Sequence, residues 1–369
     1  METYFQIPLK ASGKREMSIM PNSAVKITAD FARTAMNTIP TIFNEKITHY
    51  TAVGSKERAA SNGISAVILN KPGFPRRSFF QELEKTGFDN IISVESKTPH
   101  YDIEDAAGRF PSVRFILPEK EINPGEQINL AACEVQSPLF YVMRSDMKII
   151  AGGNAKRMAE RLSAGSEEED RNAGEKKAGF KRLCTVPVIM NSNYGILPTI
   201  ISPMIKKRMI RTIFTDPANE GELSLYPFDG IGIYDRQRFI QIGGYDITLT
   251  NPHWQMMDFG FRSFLWGEEI SLNLHFKISC EGEMPPEDMT VEESYRRFYL
   301  KNLAPVYKRD YAHLPLYKFL PFFNKSGEEF SAAWEEFKQS RNWVKKNKYR
   351  WKCDARSVTC MWDKSTELN

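Results

Sequence analysis

Between Tyr226 and Ile270 the chain reads YPFDGIGIYDRQRFIQIGGYDITLTNPHWQMMDFGFRSFLWGEEI: a small-residue strand, a glycine-pair turn and an arginine-bearing helix in direct succession. Gly230–Tyr234 alternates small and apolar residues as a buried strand does. Phe239 and Ile242 share one face of a short helix that Gly243–Gly244 stops, so a turn delivers Tyr245 and Asp246 to the next segment. From Gln255 to Trp266, Met257, Phe261, Phe264 and Leu265 fall at helical spacing. That spacing sets Asp258 and Arg262 four residues apart, where a carboxylate and a guanidinium pair.

Upstream, strands and helices alternate. Ile64–Leu69 reads as a strand, and Ser78–Thr86 as a helix with Phe79, Phe80 and Leu83 on one face and Gly87 as its C-cap. Asn90–Val94 and Val113–Leu117 are the next strands, Gln127–Val135 a helix, and Leu139–Met143 a fourth strand that ends at Arg-Ser-Asp. Such alternation argues an α/β sandwich around a mostly parallel sheet. Ligands of such sheets sit outside the carboxyl ends of the strands. Three polar pairs lie at those ends: Asn70–Lys71, Glu95–Ser96 and Ser145–Asp146.

Taken together, the two halves resemble the family-2-type glycosyltransferases. In that family a small-residue strand leads to GG-aromatic-D and then to a helix of the form ED-x-[DE]-L-x-x-R with a following glycine. Gly243, Gly244, Tyr245, Asp246, Asp258, Arg262 and Gly267 match that half. The family's first half carries an acid after the second strand, then G-x-x-x-x-x-N-x-A/G, then a D-x-D metal motif. Here Glu95, the run Gly125-Glu126-Gln127-Ile128-Asn129-Leu130-Ala131, and Arg144-Ser145-Asp146 stand in that order, across roughly the middle 60% of the chain. The resemblance implies a GT-A type nucleotide-binding sandwich and a nucleotide-sugar donor. It places Asn70, Lys71, Glu95, Ser96, Asn129, Arg144, Ser145 and Asp146 around the donor nucleotide, and Mg²⁺ or Mn²⁺ on Asp146. Asp229, Gly230, Trp254, Gln255 and Arg262 are the expected acceptor contacts, and Asp258 the expected catalytic base.

Two departures from the pattern change the expected chemistry. Arg144 replaces the first acid of D-x-D, so either Asp146 holds the metal alone or the guanidinium supplies part of the cation's charge to a phosphate. Gln255-Met256 replaces the ED pair whose second acid deprotonates the acceptor in inverting members, and methionine is no base. Three outcomes follow: Asp258 is the base, the reaction retains configuration without one, or the chain no longer turns over sugar nucleotides. The chemistry itself asks for a cation where the diphosphate departs and a carboxylate at the attacking hydroxyl. Each residue also has a plainer reading. Asp258–Arg262 read as a solvent-facing pair is worth a few tenths of a kcal/mol; Trp254 is equally a packing anchor and Asp229 a turn residue.

With 369 residues the chain suffices for one large domain and an appendage, and a net charge of +4 gives no compositional support for nucleic-acid binding. Five scattered cysteines without a C-x-x-C pair suit a reducing cytosol. No apolar run approaches ~18 residues, which leads to the expectation of a cytoplasmic protein, at most peripheral to the inner face of a membrane. Met204–Phe214, MIKKRMIRTIF, reads as an amphipathic helix, core-facing or lying on anionic lipid that carries the acceptor. The organisation expected is an N-terminal extension over 1–60, the GT-A type domain over 61–279 with a mobile charged loop at 163–182, and a C-terminal helical region over 280–369. The function implied is transfer of a sugar to a glycan or glycolipid in bacterial surface polysaccharide synthesis. The alternatives are a noncatalytic sugar-nucleotide-binding relative and a nucleotidyltransferase, for which Asn70-Lys71-Pro72-Gly73 makes a poor phosphate loop.

Overall fold

The computed structural model describes residues 48–54, 62–70, 76–97, 99, 101–171, 181–206, 209–281 and 288–362. Nine strands form the main sheet: β1 (Tyr50–Val53), β2 (Ile64–Leu69), β3 (Ile91–Val94), β4 (Val113–Pro118), β5 (Leu139–Arg144), β6 (Met147–Ala151), β7 (Lys181–Met190), β10 (Gly232–Asp235) and β11 (Glu268–Cys280). Their spatial order is β1-β4-β3-β2-β5-β10-β7-β11-β6. The pairings make β2, β3, β4, β5, β7 and β11 run one way and β1, β6 and β10 the other, so the sheet is mostly parallel.

Helices cover both faces, which is why β2 is buried at all six positions. Its alternation splits the core in two. Val67 and Leu69, with Phe140 and Val142 of β5, face helix α3 (Pro124–Glu134), the short helix α5 (Arg236–Ile242) and helix α6 (Pro252–Leu265). Ala66 and Ile68, with Tyr141 and Met143, face α1 (Arg76–Thr86), α2 (Ile103–Arg109) and α4 (Ala155–Arg171). The α/β sandwich around a mostly parallel central sheet, expected from the sequence together with a C-terminal helical region, is the architecture present.

Beyond β11 the chain continues into α7 (Glu293–Phe298), a π-helical turn at Tyr299–Leu303, α8 (Phe319–Ser326) and α9 (Phe330–Asn347). These are not a separate body: Phe298, Phe337, Trp343 and Trp351 join the same core cluster as Val67 and Val142. Trp343 stacks on Trp266 at 5.8 Å between ring centroids, which seals the C-terminal helices against the end of α6.

One sequence expectation changes, and two others fall partly outside the described residues. Met204–Phe214 is no helix: β8 (Ile200–Lys206) and β9 (Met209–Thr215) form an antiparallel hairpin in register from Ile200↔Thr215 to Lys206↔Met209. Its β-branched content, with Ile200, Ile201, Ile210, Thr212, Ile213 and Thr215, suits a pleated surface. The segment expected as a mobile loop begins inside α4, which runs to Arg171, while 172–180 lie outside the described residues. Most of the expected N-terminal extension also lies outside them; within 48–54, β1 adds an antiparallel edge strand to β4.

Candidate active site

The chain lays down β2, β3 and β4 in one direction across the sheet and then returns to place β5 on the other side of β2. The direction of winding therefore reverses between β2 and β5, and their carboxyl ends open the crevice in which ligands of such sheets bind. Asn70 follows β2 and Arg144-Ser145-Asp146 closes β5, so both flank that crevice, and Glu95 follows β3 beside them.

Hydrogen bonds join these positions. Asn70 donates through Nδ2 to Glu95 Oε2, and Ser145 donates through Oγ to Asn70 Oδ1 at 3.3 Å. Glu95 is wholly buried, and its Oε1 also accepts from Ser93 Oγ at 2.6 Å and Tyr101 OH at 2.8 Å. The backbone N–H of Ser145 donates to Leu69 O at 3.1 Å, which fixes the end of β5 against β2. Ser96 lies half-buried next to Glu95, and Lys71 lies outside the described residues.

Arg144 is the centre of the cluster. Its Nε and Nη2 donate to Asp146 Oδ1 and Oδ2 at 2.8 and 3.0 Å, and its Nη1 donates to Asp229 Oδ2 at 2.8 Å. Nη2 also lies 2.8 Å from the Cys280 sulfur, at the end of β11. Burial works to lower the guanidinium pKa, but the hydrogen bond that Arg144 donates to Asp146 and the charges of Asp229 and Asp146 outweigh it and leave the group raised, a permanent cation. Asp229 reaches it from a left-handed backbone, φ 51°, in the short turn before β10. Tyr234 holds that turn by donating to Gly230 O at 2.6 Å.

The metal expected on Asp146 does not fit these residues. Both oxygens of Asp146 take the two parallel N–H groups of Arg144, Asp229 shares the same guanidinium, and no group of three or more His, Cys, Asp or Glu suited to a metal occurs among the described residues. A fixed guanidinium holds the place between two carboxylates that a divalent ion would otherwise take.

The rest of the expected site belongs to the interior. Asn129 donates from Nδ2 to Tyr245 O at 2.8 Å and accepts at Oδ1 from Tyr245 N at 2.9 Å, so its amide pairs with the backbone of the GGYD turn and not with a nucleotide. The approach is close enough that a Cβ on Gly244, which has φ +64°, meets Asn129 Oδ1 at 2.3 Å; one on Gly125 meets Gln255 Oε1 at 2.2 Å. Gln255 is fully buried and donates to Asp246 O at 2.9 Å. Trp254 is 2% exposed, stacks on Phe298 at 5.6 Å and donates its indole N–H to Thr290 O at 2.7 Å. Of the expected acceptor contacts only Asp229 and the adjoining Gly230 backbone lie at the strand ends.

Asp258 and Arg262 are both fully buried, and their pairing is no surface bridge. Arg262 donates to Asp258 Oδ2 at 3.1 and 3.0 Å, to Ile242 O at 2.5 Å and to Gly244 O at 2.7 Å, thereby capping the carbonyls at the glycine turn. The other oxygen of Asp258 meets Lys301 Nζ at 2.7 Å and Asn302 Nδ2 at 2.8 Å. Lys301 in turn reaches Asp246 Oδ2 at 2.6 Å and lies 4.5 Å from the centroid of the Trp343 ring. Two carboxylates and two cations thus neutralise one another inside the protein. Both oxygens of Asp258, the expected base, are thus committed to interior partners, whereas Met256, two residues back on another face of α6, lies near Gly230.

Tyr101, Ser93 and Cys280 were not among the residues expected from the sequence. Cys280 stands 136 positions from Arg144, and only the pairing of β11 with β6 brings it alongside.

No protein-family model matches the chain, and a search of curated proteins finds no match. Among solved structures, GalNAc-T7 with UDP, GalNAc and Mn²⁺ is 12% identical, with a TM-score of 0.48; 83% of this chain is covered and 57% of that one. S. aureus TarS 1–349 in complex with UDP-GlcNAc is 12% identical, with a TM-score of 0.41, covering 83% of this chain and 76% of that one. The chain therefore spans little more than half the length of the GalNAc-T7 chain.

Proposed function

We propose that this chain is a nucleotide-sugar-dependent glycosyltransferase of the cytoplasm, moving a sugar to a glycan or glycolipid of a surface polysaccharide. The observation that carries this reading is the polar cluster at the switch point, where Asn70, Glu95, Ser145, Arg144, Asp146 and Asp229 converge from four segments far apart in sequence. Glycosyl transfer separates an electron-poor sugar carbon from a departing diphosphate, so a cation beside the phosphate oxygens lowers the barrier. Arg144 supplies that cation from the protein itself, and the reading is of metal-independent donor binding. One guanidinium against two carboxylates leaves the trio at a net charge of −1. The phosphate gains most when Arg144 exchanges its Asp229 partner, on the more exposed side, for the ligand.

Restoring the acid tests this. Wild type should bind a nucleoside diphosphate equally with Mn²⁺ and with EDTA, and Mn²⁺ alone should not raise its melting temperature. Arg144→Asp, which recreates D-x-D, should gain Mn²⁺ binding by calorimetry and become EDTA-sensitive. Equal metal response in the two proteins overturns the substitution of guanidinium for metal.

A noncatalytic sugar-nucleotide-binding protein is the second reading, favoured by Met256 at the base position and the burial of Asp258. A panel of nucleotide sugars, followed by mass spectrometry for transfer or hydrolysis, separates the two. Saturable donor binding with no turnover on any acceptor or water supports the second.

A further inference from the structure

The last long helix carries a surface that neither the core nor the strand-end site uses. On α9, Phe330, Trp334, Lys338, Arg341 and Lys345 recur at spacings of four and three. At about 100° per residue they fall within a stripe roughly 80° wide and roughly 20 Å long. All five are exposed, Phe330 at 59% and Trp334 at 40%, whereas Ala333, Phe337 and Val344 fill the adjoining, buried face.

Helix α8 and the turn before it widen the aromatic end. Leu316, Tyr317 and Leu320 are 55%, 68% and 63% exposed. Phe319 binds the two segments together, with ring centroids 4.9 Å from Trp334 and 5.5 Å from Phe330. Five large apolar side chains therefore face water within nineteen residues, a density that marks an interaction surface on a soluble fold.

Charge identifies the occupant. From Lys338 to Arg356 eight residues are Lys or Arg and one, Asp354, is acidic, so this stretch alone carries +7 against +4 for the whole chain. The four acids at the aromatic end lie off the stripe: Glu328 and Glu336 pair with Arg296 at 2.8 and 3.2 Å, Glu335 pairs with Lys338 at 3.7 Å, and Glu329 precedes the helix. Aromatic and leucine side chains followed along one helix by long cationic ones match the layering of a lipid surface, apolar at the acyl boundary and anionic at the phosphates.

We propose that α8 and α9 dock the protein on an anionic membrane, with Leu320, Phe330 and Trp334 entering the interface and Lys338, Arg341 and Lys345 facing the lipid phosphates. This moves the membrane contact from the Met204–Phe214 hairpin to the C-terminal helices, and it stands whether or not the strand-end site turns over sugar.

Flotation of the full chain with large vesicles of phosphatidylcholine alone, or with a quarter phosphatidylglycerol, tests it. Wild type should float with the anionic vesicles at low salt and only weakly with the neutral ones. Each cation near the surface contributes about fivefold in affinity, so Lys338→Gln/Lys345→Gln should bind anionic vesicles roughly 25-fold more weakly. Phe330→Ser/Trp334→Ser should lose binding to both. All four positions are exposed, and an unchanged melting temperature shows that the variants fold. Failure of wild type to float, or flotation of the lysine variant at the wild-type level, overturns the proposal. So does tight binding to a nucleic-acid duplex that the lysine variant loses and the aromatic variant keeps, which identifies the cations as a nucleic-acid surface.

Discussion

Replacing Asp258 by Asn should damage folding far more than a helix-surface ion pair would allow. The carboxylate stands between Arg262, at 3.1 and 3.0 Å, and the donors of Lys301 and Asn302, at 2.7 and 2.8 Å. An amide in its place turns an NH₂ group toward one of these sets of donors, whichever way it is flipped. It also leaves two buried cations with Asp246 as the one remaining negative charge of the foursome. Breaking a buried pair by removing one partner costs about 3–5 kcal/mol, against about 0.3–0.5 kcal/mol for an exposed pair at the same spacing. For a chain of this size that is a fall of roughly 4–7 °C in melting temperature rather than about half a degree. Thermal denaturation followed by circular dichroism measures it, with calorimetry of donor binding below the transition as the control. A variant that melts within about 2 °C of wild type but loses transfer 10²-fold would refute the argument and return Asp258 to the reaction.

Asp229→Asn should tighten binding of a nucleoside diphosphate by about tenfold or more, because it removes one negative charge and frees Arg144 for the ligand; weaker binding in calorimetry contradicts the exchange. The buried Asp246 gives an acid limb to the stability curve. Burial alone would raise its pKa, but the Lys301 charge and the bonds from Lys301 and Thr248 hold it below the ordinary carboxylate value. A depressed folded value stabilises above the unfolded pKa of ~3.9 and loses that contribution as the pH falls through the folded one. Asp246→Asn should therefore melt well below wild type at pH 7 and show a flatter dependence below about pH 4; parallel curves from pH 6 to 2.5 reject the assignment.

The elements legible in the sequence were those whose pattern is local. β2 is a continuous apolar run between polar punctuation, and α6 shows its buried stripe at helical spacing. The hairpin of β8 and β9 was misread because lysine and arginine interrupt its apolar residues at steps that fit either period, and the sequence between the two strands offers no Gly, Asn or Pro to signal a turn. β7 and β11 escaped notice altogether. Pro187 argues against a central strand, yet it sits opposite Asn273, where the register between the two strands shifts and a missing N–H is tolerated. In the candidate site, Asn70, Glu95, Arg144, Ser145 and Asp146 were placed by the strand ends. The burial of Asp258 was not readable, because Lys301 and Asn302 come from a π-helical turn more than forty residues further on.

The glycine turn and the helix after it therefore separate into two physical tasks that a motif presents as one. Arg262 caps the carbonyls of Ile242 and Gly244, Asn129 pairs with the backbone of Tyr245, and Asp246 is tied to the C-terminal region through Lys301. Tyr245 packs its ring 4.2 Å from Phe259, and its hydroxyl is 2.9 Å from that of Tyr234, which holds Gly230. Each of these contacts is internal, and together they run from the C-terminal helices to the turn that presents Asp229. The positions that reach the crevice are different ones: there Arg144 clamps Asp146 and Asp229, and Met256 stands near Gly230. In this chain the motif's matching residues keep their structural work, while its two departures fall where charge and proton would be handled. On the transferase reading proposed above, donor binding and transfer are therefore separable by experiment: binding rests on Arg144, while transfer needs a base other than Asp258 or Met256, or a mechanism without one.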